Sequence, residues 1–171
     1  MNRRGFTLIE LTIVLLILGI AAGAVSLRMQ SPLRRARTKD VLSAIVDFDR
    51  TTRSYARMQD KSVLLIIGSR GNRLERSTPD KQKSLGEKFE LPNKWKIIRT
   101  LVGPQAKSGM TGEIRISRAG YSDSYAICLK DTNNKRTWMI ITGLTGATVF
   151  CDNEIQAKNI LAAKIEGIDA G

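Results

Sequence analysis

No histidine occurs anywhere in these 171 residues. Its absence removes the commonest general base and the commonest metal ligand, and with them most hydrolase and metalloenzyme mechanisms. The two cysteines present cannot close a structural zinc site on their own. Neither a phosphate-cradling GxxxxGK(S/T) loop nor a GxGxxG fingerprint is found, so no nucleotide signature exists. Nothing recurs at a fixed spacing and no stretch is of low complexity, which argues against solenoid and disordered chains. The composition predicts a protein that is not an enzyme and holds no cofactor or metal. Acidic residues are also in short supply, 16 against 28 Lys and Arg, for a formal net charge of +12. With 42% apolar residues, the length suits one membrane segment and one modest head, not two full domains.

What is present is concentrated at the start. Phe6 to Leu27 reads FTLIELTIVLLILGIAAGAVSL, 22 residues with a single charge, about 33 Å long as a helix and enough to cross a bilayer. The preceding Met1-Asn-Arg-Arg-Gly5 is short and basic, as expected of a cytoplasmic flank. Glu10 is the anomaly. A carboxylate in such a segment costs several kcal/mol unless it is neutralised or meets a cation, and the span contains no Lys or Arg. A cut after Gly5 would place a new α-amino group on Phe6, one helical turn from Glu10, available to a staggered neighbouring copy.

Arg3-Arg-Gly5-Phe6-Thr-Leu-Ile-Glu10-Leu resembles the cleavage and methylation signal of type IV prepilins and type II secretion pseudopilins. The resemblance implies that a prepilin peptidase cuts after Gly5 and methylates Phe6. It further implies that Glu10 recruits the subunit into a filament on an inner-membrane assembly platform, beside other pilins or pseudopilins. A simpler reading takes the same segment as an ordinary secretory signal ending at Ala22-Gly-Ala24 and releasing a soluble protein. Against it stand Glu10 and an apolar run longer than the ~7 to 15 residues usual for such signals. Arg28, Arg34, Arg35, Arg37 and Lys39 outnumber the leader arginines and by charge counting would hold the far side inside, but that rule is weak for long translocated domains. The expectation is a single-pass bacterial inner-membrane protein with its head in the periplasm.

Residues 28–60 continue a helical pattern, with Leu33, Val41, Ala44, Ile45, Phe48, Tyr55 and Met58 on the face meant for a sheet. Pro32 is expected to kink this stalk or to begin a second helix capped by Ser31. Six strand candidates follow: Val63–Ile67, Trp95–Val102, Glu113–Ser117, Ser124–Lys130, Thr137–Thr142 and Thr145–Cys151. Tyr125, Ile127 and Leu129 share one face and Cys128 the other. The fold class is α+β, a long N-terminal helix, transmembrane then stalk, packed on an antiparallel β head over 61–151. The stretch 68–83 reads as a long exposed loop, the mobile part of the head, with a brief strand near Leu74. Its Gly68-Ser-Arg-Gly71 follows a strand rather than a helix, so it reads as a turn and not as an RNA clamp. In the tail, 152–171, Leu161, Ile165 and Ile168 suggest a short amphipathic helix packed on its own head.

Gly120-Tyr-Ser-Asp-Ser-Tyr-Ala-Ile-Cys-Leu129, followed by Gly143-Leu-Thr-Gly146, resembles the C-terminal half of H-type minor pseudopilins and FimT-like minor pilins. That resemblance implies two antiparallel sheets beside the stalk helix, and a minor pseudopilin in a short periplasmic filament of type II secretion. Two features fall outside it: the long tail, and a stalk proline as late as Pro32. In an oxidising compartment Cys128 and Cys151 are candidates for a disulfide. The basic excess suits DNA, anionic lipid or acidic partner subunits. Arg70, Arg73, Arg76, Lys81 and Lys83 form a candidate anionic-partner loop, the basis of an alternative reading as a DNA-binding minor pilin for DNA uptake. No aromatic residue interleaves with that cluster to stack bases.

Overall fold

The computed structural model describes residues 8–68, 72–80, 84–92, 94–131 and 133–163, with the side chains of 23–37 and 87 excepted. The chain divides into two units, Met1–Asp40 and Val41–Gly171. Helix α1 runs without interruption over Leu8–Met58. Pro32 therefore does not begin a second helix. A proline lacks only its own amide proton, and the residues around it continue the helix past the single missing bond. Among the described residues no helix is long and apolar enough to cross a membrane. The expected span over 6–27 is thus not supported by the structure, and part of it, residues 6–7 and the side chains of 23–27, lies outside the described residues.

Among the described residues of the second unit nine strands follow: β1 (Val63–Gly68), β2 (Arg73–Ser77), β3 (Ser84–Glu90), β4 (Lys96–Val102), β5 (Lys107–Gly109), β6 (Thr111–Ile116), β7 (Tyr125–Lys130), β8 (Arg136–Ile141) and β9 (Thr148–Cys151), then helix α2 (Glu154–Ala163). They form two antiparallel sheets, ordered β3-β2-β1-β6 and β5-β4-β7-β8-β9. The α+β class and the two-sheet head are as expected.

Alternation decides which side chains meet. Val63, Leu65 and Ile67, Ile114 and Ile116, Tyr125, Ile127 and Leu129, and Met139 and Ile141 each fall at every second position of their strands, so each set faces one way. Together with Val41, Ile45, Phe48 and Ala56 of α1 they build one buried core. Of the other helix positions expected to face the sheet, Ala44 and Tyr55 are half-buried, whereas Met58, the last residue of the helix, is 80% exposed. The opposite face of the five-stranded sheet, Leu101, Ala126, Cys128, Trp138 and Ile140, is covered by Ala157 and Leu161 of α2. Both faces of β7 are therefore buried.

Asn153 starts α2: its side-chain oxygen accepts from the Gln156 amide at 2.8 Å and its carbonyl from the Ala157 amide at 3.2 Å, the arrangement of an N-cap. The tail helix packs on its own head through Leu161, while Ile165 and Ile168 lie outside the described residues.

β3 and β5 were not anticipated, and β2 stands where a brief strand near Leu74 was expected. The stretch 68–83 is not one exposed loop, because β2 pairs with β1 from Leu64↔Ser77 to Gly68↔Arg73 and Leu74 is fully buried. Its Glu75 pairs across to Lys88 on β3 at 3.5 Å and along its own strand with Arg73 at 3.5 Å. A strand held by backbone ladders and cross-strand charges carries no apolar alternation to be read.

Candidate functional site

The N-terminal segment presents the most unusual surface. From Leu8 to Ala22 every described side chain of α1 is exposed, including Leu8, Ile9, Leu11, Ile13, Val14, Leu15, Leu16, Ile17, Leu18 and Ile20. A helix that is apolar all round needs an apolar surrounding, from protein or lipid. Its two polar side chains are accommodated locally. The Thr12 hydroxyl donates to the Ile9 carbonyl at 2.8 Å, and Glu10 lies in the first turn, where the partial positive charge of the helix end favours a carboxylate. Gly5 and Phe6, the expected cleavage and methylation positions, lie outside the described residues.

A second constellation lies where the stalk portion of α1 meets the head. Asp49 and Arg53 occupy the same stripe as Ile45 and Ala56, one turn apart, and both are buried. Arg53 Nε donates to Asp49 Oδ2 at 2.7 Å. Its Nη1 donates to the carbonyls of Gly120 at 3.0 Å and Gly143 at 2.6 Å, and its Nη2 to Ser122 Oγ at 3.0 Å. The other Asp49 oxygen accepts from the Tyr125 hydroxyl at 2.7 Å. Burial first, and then the negative charge of Asp49, hold the Tyr125 phenol well above its usual range.

The glycines make this convergence possible. Gly120 has φ +84°, and a Cβ there would meet Arg57 Nη1 at 2.7 Å. A Cβ on Gly143 would lie 1.8 Å from the Ser122 carbonyl oxygen. The segments Gly120–Leu129 and Gly143–Gly146, quoted above for their resemblance, are thus the ones that receive Arg53. Reading the stripe as apolar positions alone missed Asp49, Thr52 and Arg53. The available signal was an Asp and an Arg four apart on the core face.

The two cysteines are free, and the expected disulfide between Cys128 and Cys151 is not formed. The reason is register: Cys128 stands opposite Trp138 and Trp138 opposite Cys151. β8 therefore separates the two thiols by two strand spacings, about 9.6 Å, beyond the ~7 Å that a disulfide tolerates between Cα atoms.

Of the candidate basic loop, Arg73 and Arg76 lie among the described residues and face different surroundings. Arg70, Lys81 and Lys83 lie outside the described residues. Arg73 is exposed beside Glu75, whereas half-buried Arg76 turns to α1, its guanidinium 5.1 Å from the Phe48 ring centre and 5.7 Å from that of Tyr55. Its Nη2 donates to Thr51 Oγ1 at 3.4 Å. Arg76 thus packs the β2 face onto the stalk.

Among the described residues no cluster of His, Cys, Asp and Glu could hold a metal ion.

Residues 1–26 match the family model of the prokaryotic N-terminal methylation motif, which supports a type IV pilin-like protein. No curated protein and no solved structure matches the chain.

Proposed function

We propose that this chain is a minor pseudopilin of a type II secretion system, which acts by assembly and performs no catalysis. The observation that carries the reading is the methylation motif over residues 1–26, leading into an exposed apolar helix surface from Leu8 onward. Prepilin peptidase cuts after Gly5 and methylates Phe6. Residues 6–27 hold the subunit in the inner membrane and the head stands in the periplasm. On assembly, Glu10 pairs with the Phe6 amine of a neighbouring pilin or pseudopilin, and the apolar surface passes from lipid to helix packing. A carboxylate that costs several kcal/mol in hydrocarbon becomes a registration device, because only one axial stagger brings the amine to it. The likeness of Gly120–Leu129 and Gly143–Gly146 to H-type minor pseudopilins supports the assignment to that subtype.

The test is the mature N-terminus. Protein isolated from membranes and measured by mass spectrometry is expected to begin with N-methylated Phe6. A chain beginning at Val25 would make the segment a disposable signal and end the filament reading.

A further inference from the structure

Among the described residues the two sheets end in the edge strands β3 and β6, and β5 and β9. An edge presents unpaired amides and carbonyls, and charged side chains, shortness or a bulge keep other chains off it. Three of the edges carry such protection. β3 has Lys88 and Glu90 and a φ of +89° at Gly86, β5 is three residues long and starts at Lys107, and β6 exposes Glu113 and Arg115. β9, Thr148-Val-Phe-Cys151, has no charge, and its Val149 is 41% and its Phe150 50% exposed.

The register of β9 fixes what its free side offers. At the turn from β8 the Thr142 amide donates to the Ala147 carbonyl at 2.9 Å. By alternation Val149 and Cys151 then bond to β8, and the amides and carbonyls of Thr148 and Phe150 point away from the sheet. Among the described residues no main-chain bond outside the ladder with β8 meets them. Val149 stands opposite Ile140, on the face that α2 covers, and Phe150 opposite Met139, on the face of the main core. The edge is therefore apolar on both faces. Ile155, in the first turn of α2 just beyond the strand, is a further exposed apolar side chain, at 72%.

We propose that β9 is a dimer edge, on which β9 of a second copy of this chain pairs antiparallel, with Val149 opposite the partner's Val149. In that register Thr148 and Phe150 form hydrogen-bonded pairs with the partner's Phe150 and Thr148, so every free main-chain group of both edges is met. Large is set against small on one face, Phe150 across from the partner's Thr148, while the two valines meet on the other. Asp152 falls opposite the partner's Gly146, so no like charges face each other. Charge also favours this edge for a second copy. A chain with a net charge of +12 repels its own copies, and a strip without cations is where such a contact costs least. An isologous contact is self-complementary and closes on two copies, which leaves no free β9 edge behind. It does not propagate along a filament, and the proposal stands whether or not the assembly reading holds.

The test is sedimentation of the full chain in density-matched non-ionic detergent over a series of protein concentrations. The wild type is expected to be a monomer–dimer mixture. Val149→Lys, which sets like charges opposite each other, and Phe150→Lys should each weaken the dimer by about tenfold or more. A control, Met110→Lys, adds the same charge at an apolar residue 65% exposed between β5 and β6 and should dimerise like the wild type. Crosslinking reads the register. Val149→Cys in a Cys151→Ser background, oxidised with copper phenanthroline, is expected to give a covalent dimer, because residues in a non-hydrogen-bonded pair lie ~4.5 Å apart at Cα, within disulfide reach. The native Cys151 would stand about 13 Å along the strand from the partner's Cys151 and should give none. Should a lysine variant not fold, the crosslink decides alone. A chain that stays monomeric, leaving the edge to a segment of another protein, would overturn the proposal. So would a dimer that the β9 variants leave intact, which would belong to the apolar helix, and so would equal weakening by Met110→Lys or a crosslink through Cys151 in place of position 149.

Discussion

Arg53 carries a full charge into a site where it is 4% exposed, and four hydrogen bonds compensate its lost hydration. Removing the guanidinium leaves Asp49 buried beside two unmet carbonyls. Arg53→Met is therefore expected to cost about 3–5 kcal/mol, read as a lowered midpoint in urea denaturation. Replacing Asp49 and Arg53 together by apolar residues should cost clearly less than Arg53→Met, because no orphan charge remains. Tyr125 adds a pH dependence. Its folded pKa is raised, so its contribution to stability is complete below its usual 10.0 and is lost as pH climbs through the raised value. Cys128, raised chiefly by burial from 9.0, acts with the same sign. Tyr125→Phe should thus flatten the alkaline loss of stability. At neutral pH it should also cost about 1–3 kcal/mol, since one Asp49 oxygen loses its donor. Melting curves from pH 7 to 11 measure both effects.

At the scale of elements, α2 is a lid over a core of its own. Leu161 and Ala157 close the face that holds Cys128 and Trp138, while Asn153 and Glu154 fix the start of the helix. Leu161→Ala is expected to cost about 2–5 kcal/mol and, more tellingly, to open Cys128 to alkylation. In the wild type Cys151 should react first and Cys128 slowly, and unfolding without reductant should release both thiols. A bridged pair would instead release none. The strands that the sequence made legible are those where apolar residues alternate, such as Val63, Leu65 and Ile67, or Tyr125, Ile127 and Leu129. β3 was not, and β2 showed only through Leu74, since the other residues of these strands are matched to the neighbouring strand more than to the core. The cysteines show the same limit. Their separation, Cys128 on the central strand β7 and Cys151 on the edge strand β9 with β8 between, follows from strand order, and strand order is a long-range property that neither local pattern nor spacing encodes.

At the scale of the whole molecule, the two parts of the chain follow different rules. Residues 8–22 expose apolar side chains on every side, with Leu8 83% exposed, whereas, among the described residues, the buried clusters of the head begin at Val41. The candidate site was legible where chemistry is local. A charge inside an apolar run can be recognised without a fold, and the expectation for Glu10 with Gly5 and Phe6 rests on nothing else. The Arg53 cluster needed the fold, because the groups that meet it, Gly120, Ser122 and Gly143, come from separate loops. This division has a consequence for truncation. If the first 27 residues serve membrane and assembly alone, a chain starting at Arg28 should remain in solution without detergent. Its head should melt within about 2 °C of the full chain, the shift expected for changes of up to ~0.5 kcal/mol away from the core. The same chain should no longer sediment with membranes. A fall in melting temperature well beyond that range would mean that the apolar segment also completes the head, and its exposure would then be a property of the head's stability as well as of its anchoring.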